Sequence, residues 1–124
     1  MAKPQFDVSV VVNPLAERTD PALGEYAYAY TITIRNTGDV AAQLIARHWV
    51  ITDQNGHVQE VRGLGVVGHQ PLLQPGERFE YTSWTLLPTQ QGSMRGSFTC
   101  YTQDAEAFEA PVHEFVLGHS GVLH

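Results

Sequence analysis

An all-β chain, folded as an antiparallel β-sandwich of seven or eight strands, is what this sequence predicts. Three observations carry that expectation. Apolar and polar residues alternate with period two in segment after segment, while the spacing of an amphipathic helix is nearly absent. Turn signals, among them Asn55-Gly56, Pro75-Gly76 and Gln91-Gly92, fall at near-regular intervals between those segments. The 124 residues, 43% hydrophobic and 16% charged, suit a single domain (1–124) with one continuous core and no low-complexity tract.

The elements follow in order. Phe6-Asp7-Val8-Ser9-Val10-Val11-Val12 places its even positions on an apolar face, and Pro14 ends the run. Residues 17–24 read as a polar loop around Asp20-Pro21. The next strand is long, with Tyr26, Tyr28, Tyr30, Ile32 and Ile34 on one face and Ala27, Ala29, Thr31, Thr33 and Arg35 on the other. A one-residue slip would turn the aromatic face into water, so this strand is expected at the centre of a sheet. Asn36-Thr37-Gly38-Asp39 reads as a turn in which Gly38 supplies a positive φ. A β-rich run from Gln43 to Thr52 leads to Asn55-Gly56, the favoured pair for a type I′ hairpin, and His57–Val61 returns. Strands are then expected over Arg78–Trp84, Met94–Tyr101 and Phe108–Leu117. A fibronectin type III-like or immunoglobulin-like sandwich fits this order, although the Cys-Trp-Cys spacing of antibody domains is missing. Period-two patterning alone leaves a closed barrel open as well.

Composition narrows function. The formal charge is -6, with Lys3 the only lysine and six scattered arginines, which argues against binding a phosphate backbone and hence nucleic acid. Cys100 is the only cysteine, set in Ser97-Phe98-Thr99-Cys100-Tyr101, and reads as a small buried hydrophobe in a protein of a reducing compartment. The N-terminal residues lack an apolar leader, and no run approaches the roughly eighteen apolar residues of a membrane span. A soluble, cytoplasmic protein without membrane insertion is the expectation.

Gly63, Gly65 and Gly68 spell G-x-G-x-x-G, the dinucleotide-binding pattern. That chemistry needs a helix opening directly after the glycines, so that its N-terminus meets a pyrophosphate. Pro71 and then Pro75-Gly76 follow instead, and leave no room for a helix. The segment is expected to be a glycine-rich loop between strands. Arg62, Gly63, Gly65, Gly68 and Gln70 are its candidate ligand-binding residues, with weak nucleotide or pyrophosphate binding as the alternative use.

Several blocks together resemble one family. They are Tyr28–Asn36, Gln43–Thr52, Glu60–Leu72, Pro75–Ser83 and Gly92–Phe98, with Val122-Leu123-His124 at the end, and they cover essentially the whole chain. In that order they are similar to the ApaG family. Trp84 departs from the pattern, since a small residue is expected after Tyr81-Thr82-Ser83. The resemblance implies a small bacterial β-sandwich similar in fold to fibronectin type III domains. Related domains are appended to eukaryotic F-box and polymerase-interacting proteins, which implies a protein-binding module. The family's traditional association is with cobalt and magnesium efflux or resistance, and its gene neighbours encode diadenosine tetraphosphate hydrolase.

No catalytic constellation stands out. The histidines at 48, 57, 69, 113, 119 and 124 form none of the H-x-H, H-x-x-H or H-E-x-x-H spacings that turn two imidazoles toward one ion. His48 and His69 are the weak metal candidates, His48 reading as a hydrogen-bonded structural residue, and His119 and His124 could meet only through a tail. Asp104, Glu106 and Glu109 read as a solvated loop, and Ser120-Gly121 lacks the setting of a nucleophile. Trp84 lies on the opposite parity from Phe79 and Tyr81 and is an interface candidate, with Trp49 as a second.

The expected function is therefore a non-enzymatic accessory or protein-interaction module without a cofactor, binding other proteins through a strand edge or the Arg62–Gln70 loop. An accessory or regulator of cobalt and magnesium homeostasis is the alternative. The lysine-free hairpin His48–Val61 reads as a sheet edge open to a symmetric homodimer, with a monomer equally open.

Overall fold

The computed structural model describes residues 2–118; His119, Ser120, Gly121 and His124 of the readings above lie outside the described residues. Eight strands run through it: β1 (Phe6–Pro14), β2 (Tyr26–Asn36), β3 (Ala42–Asp53), β4 (Val58–Leu64), β5 (Leu72–Leu73), β6 (Arg78–Leu87), β7 (Gly92–Thr102) and β8 (Ala107–Leu117). They form two antiparallel sheets, one ordered β1-β2-β6 and the other β4-β3-β7-β8, with the short β5 also paired to β3. The all-β sandwich read from the alternation is the fold.

β2 occupies the centre of its sheet, as its aromatic face demands, with Tyr28, Tyr30, Ile32 and Ile34 buried between the layers. They meet Trp49 and Ile51 of β3, Phe98 and Cys100 of β7, and Val112 and Leu117 of β8 in one continuous core. Trp49 stands edge-on to Phe98 and Phe115, a favoured aromatic geometry. The polar loop before β2 contains two short 3-10 turns, Ala16–Arg18 and Pro21–Leu23, the second started by Asp20, whose carboxylate accepts from the Ala22 N–H.

Two turns differ from their sequence reading. Gly38 does not use a positive φ; a side chain there would instead run into the Lys3 carbonyl, so what it supplies is close approach of backbones. The Asn55-Gly56 turn is not type I′, because only Gly56 takes a positive φ. Asp53 is the reason. Its carboxylate accepts from the N–H groups of Asn55 and His57, while the Gly56 N–H reaches the Asp53 carbonyl, which closes a three-residue loop with Gly56 left-handed.

Asn36, at the end of β2, is buried yet fully paired. Its amide donates to the carbonyls of Val40 and Leu73 and its oxygen accepts from the Gly38 N–H, so one side chain ties β2, β5 and the β2–β3 turn together.

The two open sides of the sandwich differ. On one, β1 lies against β8 and Phe6 meets Phe108 edge-on at 5.4 Å. On the other, the segment between β4 and β5 approaches β6, where His69 meets the Phe79 ring at 5.7 Å. The expected edge hairpin is corrected here. Its first arm, carrying Trp49, Val50 and Ile51, is not an edge at all, since β3 pairs with β7 as well as β4. Only β4 is outermost, and Glu60 and Arg62 stand on it as exposed charges.

Candidate functional site

Local chemistry builds the segment after β4 into a second, tiny hairpin. The Val66 N–H donates to the His69 carbonyl and the His69 N–H donates back, closing a two-residue turn at Val67-Gly68. Val67 has φ 43° and Gly68 φ 83°, the two positive values of a type I′ turn. Asn or Gly is the usual first residue of such a turn, and a β-branched residue is strained there. This strained valine is half exposed.

The hairpin is clamped at its base by β3. A register shift between Leu44 and Ala46 leaves Ile45 as a bulge, and its carbonyl accepts both the Gly65 N–H and the Gln70 side-chain amide. Gln43 donates in turn to the Gln70 carbonyl. Arg47 Nη1 donates to the carbonyls of Leu64 and Gly65, both at 3.0 Å. Gly65 takes φ 65°, and a side chain on it would lie 2.5 Å from the His69 carbonyl oxygen.

The three glycines thus do different work. Gly65 and Gly68 serve turn geometry, as the loop reading expects. Gly63 lies inside β4 opposite Arg47, and its missing side chain makes room for the guanidinium. The two-residue strand β5, and no helix, follows the pattern. The N–H groups of Gly65, Val66 and His69 are donated to the protein itself, which leaves them unavailable to a phosphate.

Behind the hairpin lies a cavity of about 220 Å3 between the sheets. Tyr30, Arg47 and Trp49 form its floor, Tyr81 and Ser83 of β6 its far wall, and Val66 and Val67 its mouth. Tyr81 is only 7% exposed, and its hydroxyl has no hydrogen-bond partner among the described residues. Burial, reinforced by Tyr30, raises its pKa above the ordinary tyrosine value, while Arg47 pulls the other way.

Outside, the rim is apolar. Leu64 is 75% exposed, Val67 52% and Leu72 54%, all on or beside the hairpin. Trp84 is half exposed on the outer face of β6, with the Arg18 guanidinium 5.3 Å from its ring. Trp49 is corrected as an interface anchor: at 3% exposure it belongs to the core, reaching the surface only as cavity floor. His48 Nε2 lies 3.8 Å from Glu60 on the outer face of the second sheet, and Arg62 approaches the same carboxylate. His69 packs against the Phe79 ring. Among the described residues, no three His, Cys, Asp or Glu side chains are grouped to hold an ion. No helix among them is long and apolar enough to cross a membrane.

Arg47, Tyr81, Leu64, Val67 and Leu72 escaped the sequence reading. Arg47 left a signal, a lone charge on the parity of Trp49 and Ile51 opposite a glycine. Leu64 and Val67 left another, as apolar residues inside a glycine loop.

Comparison with known proteins decides the family. The profile of the ApaG domain matches residues 16–102. The chain belongs to the ApaG family. Protein ApaG of Ralstonia nicotianae is 56% identical over 124 residues, spanning all of both chains. Protein ApaG of Azotobacter vinelandii is 52% identical over 97% of this chain and 95% of its own. A crystal structure of a Bordetella pertussis protein designated ApaA superposes with a TM-score of 0.92 at 51% identity, covering 94% of this chain and 95% of that one. Membership of the ApaG family therefore extends across the hairpin and its clamp, since residues 63–70 lie within the matched domain.

Proposed function

We propose that this ApaG chain is a non-enzymatic, cytosolic interaction module that meets a partner protein with the exposed edge of β4 and the apolar hairpin beside it. The observation that carries the reading is the exposure of Leu64, Val67 and Leu72 before, on and after a turn whose strained residue is itself apolar. Strain held at an exposed position points to a role that a relaxed residue would not fill. Edge N–H and C=O groups of β4 supply strand pairing, and the apolar rim supplies desolvated contacts. The side chains around the site form no nucleophile–base pair, which supports binding over turnover.

Two measurements on the purified full chain test this. Incubation with nucleotides and dinucleoside polyphosphates is expected to give no turnover, and hydrolysis at a useful rate would defeat the reading. Affinity purification from a bacterial host relative should recover a stoichiometric partner that Leu64→Asp loses while Val11→Asp keeps.

A further inference from the structure

We propose that the cavity behind the hairpin binds a small carboxylate carried on a compact apolar body, such as an arylacetate or a branched-chain acid. This goes beyond the interaction role and does not depend on it, because the polar groups it rests on line the cavity, which Leu64 and Leu72 of the rim do not.

The polar side chains that line the cavity can all donate. Tyr81 brings a hydroxyl that is more than nine-tenths buried and unpaired within the described residues. An orphaned buried hydroxyl costs folding free energy, so the fold gains if a ligand completes the bond. Its raised pKa keeps the proton on the oxygen at neutral pH, and it therefore donates. Arg47, on the sheet opposite Tyr81, is held through Nη1 by the Leu64 and Gly65 carbonyls, while Nη2 makes no hydrogen bond among the described residues. No carboxylate of those residues lies within ion-pair distance of it. Ser83 adds a hydroxyl on the same wall. A phenol, a guanidinium and a hydroxyl together suit an anionic acceptor, and the guanidinium fork suits a carboxylate.

The rest of the cavity is apolar and small. The rings of Tyr30 and Trp49 meet edge-on at 5.8 Å with their planes 63° apart, which makes an angled aromatic wall, and Val66 and Val67 of the hairpin line the same space. At about 220 Å3 the space falls below the roughly 300 Å3 where ordinary small-molecule pockets begin, which excludes a nucleotide. The strain at Val67 has a second rationale here, since a glycine in its place would leave the mouth open.

Sodium phenylacetate is the probe, titrated into the isotopically labelled full chain and followed by amide and indole NMR. Phenylacetamide serves as the neutral isostere and inorganic phosphate as the anion control. Saturable shifts confined to Val66, Val67, Trp49 and β6 are expected with phenylacetate, weaker ones with the amide, and none at these positions with phosphate. Tyr81→Phe should weaken binding about tenfold or more while leaving the melting temperature unchanged or higher, as loss of an unpaired hydroxyl implies. Val67→Gly, which spares every donor, should weaken binding severalfold and provides a second folded variant. Absence of saturable shifts at about 10 mM probe, well above a millimolar Kd, would overturn the proposal. So would equal responses to phosphate and phenylacetate, or a Tyr81→Phe variant that binds as well as the parent.

Discussion

A side chain on Gly63 would place its first carbon 2.7 Å from Arg47 Cζ, so the guanidinium occupies the space that the glycine leaves. Arg47 in turn fixes Leu64 and Gly65, and through them the hairpin. The three glycines should therefore respond differently to alanine. Gly65→Ala meets both a positive φ and the His69 backbone, and should cost the most, about 3 kcal/mol. Gly68→Ala has open space around it and should cost only the left-handed strain, about 1 kcal/mol. Gly63→Ala displaces a flexible side chain and weakens two hydrogen bonds to a charged donor, for about 1–2 kcal/mol. Urea midpoints at constant slope check the order.

Val67→Asn should stabilise the protein by about 1 kcal/mol, because Asn-Gly is the favoured pair for a type I′ turn and a β-branched residue is not. Calorimetry should show a melting temperature a few degrees higher. A fall would mean that contacts of the valine outweigh its strain.

Asn36→Ala should cost about 3 kcal/mol, since it removes a fully paired buried amide and leaves the Val40 and Leu73 carbonyls without their donor. Hydrogen exchange should rise first in β5 and the β2–β3 turn. Protection lost uniformly across both sheets would instead indicate a global role.

Asp53 sets a pH dependence. Burial alone would raise its pKa, but the His57 and Asn55 N–H groups and the His57 ring outweigh that and hold it below the ordinary 3.8. The folded value being the lower one, Asp53 contributes stability above pH 3.8 that is lost as pH falls through the folded value. Asp53→Asn should be less stable near neutrality and should lose less than the parent in that acid interval. Parallel loss in both proteins would assign the acid transition to other carboxylates.

Cys100 is fully buried, and burial, with a smaller push from Glu109, raises its thiol to about 12. Thiolate is thus disfavoured in the folded state, and a disulfide reagent at mildly alkaline pH should label Cys100 only at the unfolding rate. Rapid labelling of the native chain would place the thiol at the surface.

The period-two pattern made most of the fold legible. Tyr26–Ile34 announced the central strand, and the burial of its even face follows from side-chain alternation alone. β5 was not legible, because two residues carry no periodicity and Asn36 and β3 hold them in place. The Asn55-Gly56 turn misled because Asp53 captured its amides, a local bond that outranked the dipeptide preference. At the site, the glycines marked the hairpin but not its clamp. Ile45 acts through its carbonyl at a bulge, which side-chain identity cannot show, and Tyr81 reads as any core aromatic, set apart only by a hydroxyl without a partner among the described residues.

A partner protein that docks, as we propose, on the β4 edge and the adjoining Leu64–Leu72 segment should leave its trace there. Site-specific photocrosslinking in living bacteria tests it most directly, with a benzophenone amino acid at Leu64 and, as a control of similar exposure on the opposite edge, at Val11. A discrete, saturable adduct is expected from position 64 and none from position 11. Equal adducts from both positions, or an adduct from position 11 alone, would contradict it.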